Sequence, residues 1–139
     1  MGRQTRGFTL IELLAIIVLV GTLSIVFMAR IDNSGIASVQ ASRDTLVAAL
    51  SFTQQAAMAR SSQNYTVAIS LSAHTVSVTE NSAPVPAYTY ALPTGVAITE
   101  GTGNYVFDKL GGTTPGAITL TKGDASARIF LEASGYAHW

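Results

Sequence analysis

Residues 3–30 read RQTRGFTLIELLAIIVLVGTLSIVFMAR, and the rest of the chain is interpreted from this stretch. Two arginines, Arg3 and Arg6, and a small residue, Gly7, precede an apolar run from Phe8 to Ala29 that holds one charge, Glu12. From Leu13 to Ala29 there are 17 uncharged residues. As a helix they would rise about 26 Å, near the thickness of a bilayer core. Eleven of them are Leu, Ile, Val or Phe, which favours insertion by about 3 to 7 kcal/mol, against at most about 3 kcal/mol for Glu12. The expectation is one membrane-spanning helix with its basic N-terminus held in the cytoplasm. A discarded secretory signal would carry its small-residue cleavage site after the apolar run. Here Thr22, Leu23 and Ser24 fall inside the run, and the better small-residue site, Gly7, lies ahead of it.

The segment Gly7-Phe8-Thr9-Leu10-Ile11-Glu12-Leu13-Leu14 resembles the processing signal of type IV pilins and type II secretion pseudopilins. The resemblance implies cleavage after Gly7 by a membrane aspartyl peptidase and methylation of the new N-terminal amine on Phe8. It also implies that Glu12 pairs with the N-terminal amine of a neighbouring subunit. The physics agrees with that role. A carboxylate in an apolar setting is costly without a partner, and removing the leader creates an ammonium group at Phe8. Pairing between chains would give an assembly its register. The family's long helix often has a proline where Ala29 stands, and this chain has none there; Gly21 is the weak point of the run.

The chain has 139 residues, eight basic and eight acidic side chains, and no cysteine. Less an anchor of about 30 residues, this leaves one small domain with its own core. Balanced charge gives no excess to bind nucleic acid, and the lack of cysteine excludes disulfides and thiolate metal sites. The predicted organisation is a leader at 1–7, a membrane and filament-core helix at 8–30 and a periplasmic domain at 31–139.

From Ile36 to about Arg60 the pattern is helical and amphipathic, with Val39, Leu46, Leu50 and Ala57 on one stripe and Val47 and Met58 beside it. After Asn64 the period falls to two. Val67, Ile69 and Leu71, then Val76 and Val78, read as a hairpin turning at Ala73-His74. Pro84, Pro86 and Pro93 bracket Tyr88–Leu92 as an edge strand or loop. Val96–Thr99, Tyr105–Asp108, Ala117–Thr121 and Arg128–Glu132 are short strands separated by glycine-rich turns. The expected fold is α+β and type IV pilin-like: a long N-terminal helix packed on a small antiparallel sheet, with strands over about 64–133. The Phe107-Asp108-Lys109-Leu110-Gly111 turn and the closing Gly135-Tyr136 make the second half similar to the minor subunits of that family. The nearest types are the H-type minor pseudopilin and the minor pilins of mannose-sensitive haemagglutinin-type pili.

No catalytic constellation is present in the sequence, and the chain is read as a non-enzyme with no cofactor. His74 lies in a hairpin turn and His138 beside the C-terminus, and Asp108 and Asp124 lack the run of spaced acids that a calcium loop uses. Gly101-Thr102-Gly103-Asn104 lacks the third glycine and following helix of a dinucleotide loop and is a turn. Tyr88, Tyr90, Tyr105, Phe107, Tyr136 and Trp139 fit either a contact surface or strand packing. The resemblance implies a minor pilin or pseudopilin that helps initiate or cap a type IV pilus or type II secretion pseudopilus. It sits in the bacterial inner membrane, with other pilin subunits, the prepilin peptidase, an inner-membrane assembly platform and, before assembly, membrane lipid as partners. The alternative is a tip-located subunit capturing DNA or a surface. Only Lys109, Lys122 and Arg128 follow Arg60, against five acids, which disfavours nucleic acid.

Overall fold

A computed structural model of the chain describes residues 9–29, 34–60 and 65–139. They form two helices, α1 (Leu10–Ala29) and α2 (Ser34–Ala59), and eight strands: β1 (Val67–Leu71), β2 (Thr75–Glu80), β3 (Ala83–Ala91), β4 (Ala97–Glu100), β5 (Gly103–Phe107), β6 (Gly116–Lys122), β7 (Ala125–Leu131) and β8 (Ala137–His138). The chain divides into two compact units, residues 1–34 and 35–139.

The strands form two antiparallel four-stranded sheets, ordered β3-β2-β1-β5 and β4-β6-β7-β8. The expected pilin-like fold, one long helix on one small sheet, is thereby corrected. The prolines supply a reason. Pro84 and Pro86 lack the N–H that a further strand would need, so β3 is confined to an edge. The first sheet grows instead on the far side of β1, where β5 pairs with Val67↔Phe107 and Leu71↔Gly103. The chain after Pro93 starts a second sheet, in which β4 pairs with β6. A reading of consecutive strands as one meander misses this crossover.

The expected membrane span is also corrected: among the described residues no helix is long and apolar enough to cross a membrane. The apolar run of α1 is interrupted by a charged residue, Glu12, and by the weakly apolar Gly21 and Thr22. The single-pass inner-membrane localisation falls with the span.

In the second unit α2 and both sheets share one core. Val39, Leu46, Leu50 and Ala57, the stripe picked out by helical spacing, are buried with Ala49 and Ala56 between them. They meet Val67, Ile69, Leu71, Val76, Val78 and Phe107 of the first sheet and Ile98, Ile118, Leu120, Ile129 and Leu131 of the second. Two hydroxyls lie inside this stripe, and each is satisfied within the helix: Ser42 Oγ donates to the Ser38 carbonyl and Thr53 Oγ1 to the Ala49 carbonyl. An irregularity in β3, where pairing passes from Thr89 to Pro84 opposite Ser77 and Thr79, brings Tyr88 onto Phe52 of α2, with ring centroids 4.2 Å apart.

Candidate functional site

Helix α1 starts at a cap. The Thr9 carbonyl accepts hydrogen bonds from Glu12 N and Leu13 N, both at 3.1 Å, and Thr9 Oγ1 accepts a long one from Glu12 N at 3.4 Å. Thr9-Leu10-Ile11-Glu12 is the T-x-x-E spacing of a capping box, a signal that the pilin-like motif overshadowed in the sequence. Glu12 therefore has a local reason to stand where it does, since a carboxylate in the first turn is favoured by the helix dipole. Gly7 and Phe8, the expected cleavage and methylation positions, lie outside the described residues.

Beyond Glu12, α1 is apolar on every side. Leu10, Leu13, Leu14, Ile17 and Val18, at helical steps of three and four, line a shallow groove of about 280 Å³. Ile11, Ile16, Leu19, Val20 and Leu23 cover the other faces. All ten are exposed, from 83% at Leu10 to 46% at Ile16. Burying half of each such side chain gains on the order of 1 kcal/mol, so covering the helix would gain on the order of 10 kcal/mol. A helix that is hydrophobic all round is built to be surrounded.

The residues considered for chemistry in the second unit have structural roles. His74 Nδ1 lies 3.3 Å from the Val96 carbonyl oxygen and ties the β1–β2 turn to the approach to β4. Asp108 Oδ1 accepts the amides of Leu110 and Gly112, each at 2.8 Å, and so fixes its own turn. Among the described residues no group of three or more His, Asp or Glu side chains could hold a metal ion. At Gly101 a Cβ would meet the Ala117 carbonyl and Ile118, which identifies Gly101 as a point of close backbone approach to β6. Tyr105 Oη donates to the Gly101 carbonyl at 2.9 Å. At the end of α2, Arg60 pairs with Glu80 at 2.8 Å, and Tyr65 Oη donates to the same carboxylate at 2.8 Å. That hydrogen bond, with some burial, pushes the Tyr65 phenol up from its usual range.

Two features of the second unit were missed by sequence reasoning. Gln54 of α2 donates from Nε2 to the carbonyls of Ser134 (2.8 Å) and Gly111 (3.4 Å), joining the Asp108 turn to the β7–β8 turn. The Phe107–Gly111 and Gly135-Tyr136 segments are thus packed together on one helix. The other feature is on the solvent face of the second sheet. Phe130 is paired with His138, the rings are 5.6 Å apart, and Tyr136 lies 5.5 Å beyond His138. Arg128 stands 5.3 Å from the Phe130 ring, and His138 Nε2 is 3.2 Å from Glu132 Oε1. Trp139, unexplained by any core pattern, lies beneath the Arg43 guanidinium at 4.5 Å.

Comparison of the chain with protein-family models, curated proteins and solved structures returned no match.

Proposed function

We propose that the chain is a non-catalytic structural subunit that joins a filament through its N-terminal helix, as a minor pilin or pseudopilin does. The observation that carries the reading is α1: a capped helix whose apolar side chains from Leu10 to Leu23 are exposed on all sides, with one acid in its first turn. Neighbouring copies of the same kind of helix are a covering that such a surface fits. The proposal stands on this element and on its resemblance to a processing signal, not on the globular fold. Its partners are other pilin or pseudopilin subunits, a prepilin peptidase acting between Gly7 and Phe8, and an assembly platform. Glu12 pairs with the N-terminal amine of an adjacent subunit once the leader is removed.

Capture of DNA is less well supported. Arg43, Arg60 and Arg128 each contact an acid and an aromatic ring, and Lys122 Nζ donates to Ser38 Oγ at 3.2 Å. A phosphate backbone needs a free cluster of such charges.

The test is isolation of filaments from the native cell, with the N-terminus of this chain read by mass spectrometry. The expected result is a chain beginning at a methylated Phe8, with Glu12→Ala still processed but reduced at least tenfold in filaments. Normal incorporation of Glu12→Ala would remove the pairing role, and a chain never found with filaments would end the proposal.

A further inference from the structure

The outer face of β7 has an order of side chains that reads the same from a second copy. Along the strand and one residue past it Arg128, Phe130 and Glu132 are exposed, as is Ser126 before them, while Ile129 and Leu131 are buried. The ring therefore sits midway between a cation and an anion. Rotate a second copy by 180° about an axis that lies in the sheet face and crosses the strand at Phe130. The two rings then meet, and each Arg128 faces the other chain's Glu132, giving two opposite-charge pairs from one operation. The alternative two-fold axis, along the strand, sets Arg128 against Arg128. The face thus selects one orientation by repelling the other.

The relief of the face suits the same arrangement. Phe130 stands beside a cleft of about 500 Å³ whose walls include Pro115, Gly116, Glu132 and His138. Ala117 is paired with Phe130 on the neighbouring strand, so small residues leave room next to the ring. A partner's Phe130 entering this cleft gives a ring-into-cleft contact on both sides. The local ion pairs do not prevent it. Arg128 lies 3.7 Å from Glu100 with both side chains more than half exposed, and Glu132 contacts His138 through one oxygen only. Exposed pairs of this kind hold their partners weakly.

We propose that the solvent face of β6-β7-β8 is a homotypic contact, in which two copies of this chain meet through Phe130 with reciprocal Arg128–Glu132 pairing. Three strands at about 4.8 Å spacing and about five residues of length present roughly 240 Å². A standard stable interface uses about 800 Å² per partner. The contact is therefore secondary: it acts between copies already held close, where effective concentration is high. It rests on the filament reading for that closeness, and on nothing else in it.

The chain has no cysteine, so Ala117→Cys places a single thiol near the proposed axis. The full chain carrying Ala117→Cys would be treated with a short bis-maleimide that spans the roughly 10 Å between packed sheets. Adding Arg128→Glu, or separately Glu132→Arg, should lower the yield of linked dimer at least fivefold. The double reversal Arg128→Glu/Glu132→Arg should restore it, because the pairs re-form with signs exchanged. A double variant as poor as the singles, or singles as good as the parent, overturns the contact. Repeating the series at high protein concentration with Ile17→Asp, which disables association through α1, separates the two ideas. Loss of filaments with the charge-swap pattern retained leaves this contact standing alone. Filaments that form with no charge-swap response leave the filament reading standing without it.

Discussion

Gly135 shows how much of this fold depends on a single missing Cβ. Its φ is +81°, a conformation that side chains rarely adopt, and a Cβ there would press into the Gly111 carbonyl, the Gln54 amide and the Phe107 ring. Gly111, its neighbour across the contact, also has a positive φ, +84°. Gly135→Ala should destabilise the folded chain by about 2 kcal/mol or more, through strain and through displacement of the Gln54 hydrogen bonds. Urea denaturation would measure it, and a change below about 0.5 kcal/mol would show that the two turns are not held as described. Tyr90 gives the opposite case. Its hydroxyl is buried with no hydrogen-bond partner, and burial pushes the phenol up to about 12. The unfolded chain loses this proton near pH 10 while the folded chain keeps it, so stability should fall as pH rises from about 10 to about 12. Tyr90→Phe should remove that part of the decline and, with no unsatisfied hydroxyl left to bury, should be neutral or more stable by up to about 1 kcal/mol at pH 7. A pH series of thermal melts on both forms would show it.

At the scale of elements, the two helices differ in what their apolar residues do. On α2 the stripe through Val39, Leu46, Leu50 and Ala57 is fully covered, whereas on α1 Leu14 and Ile17 remain 54% and 65% exposed. Leu50→Ala should therefore cost about 2 to 5 kcal/mol in unfolding, as a cavity between α2 and the sheets. Ile17→Ala should move the unfolding transition little and instead weaken association. Measuring both variants by denaturation and by sedimentation would separate the roles; equal loss of stability would mean that α1 is part of the folded core. The α2 stripe and the Ala73-His74 hairpin were legible in the sequence because spacing alone sets which face is buried, and burial follows spacing at period 3.6 and period 2. Strand partnership was not legible, because no local pattern says that β5 returns to β1. The prolines of β3 held that information, as a statement about which edge could not be extended. β8, two residues long, has no period to detect. At the candidate site Glu12 was found as the one acid in an apolar run, but its cap by Thr9 was read only as part of a motif. The aromatic row of Phe130, His138 and Tyr136 needs the β7–β8 register before it exists at all.

At the scale of the molecule, two sheets that share no strand are joined through α2, through the side chains between them and through backbone ties such as Ile98 N to the Ala73 carbonyl at 2.8 Å. Ile69 and Val78 of the first sheet and Ile118, Leu120 and Ile129 of the second belong to one buried cluster with Leu46 and Leu50. Polar ties reinforce it across the sheets: Gln54 reaches the Ser134 carbonyl, and the Thr113 amide donates to the Ala133 carbonyl at 3.0 Å. Neither sheet has a second apolar layer of its own, so opening one exposes the inner face of the other. Residues 35–139 should consequently unfold in one cooperative transition, with the calorimetric and van't Hoff enthalpies equal. Native-state hydrogen exchange gives the sharper test. Amides in the middle of β1, β6 and α2 should exchange through openings of the same free energy, equal to the global value. Leu120→Ala should lower that free energy by the same amount in all three elements. A first sheet that kept its protection while the second lost it would mean that the sheets are independent units and that α2 does not couple them.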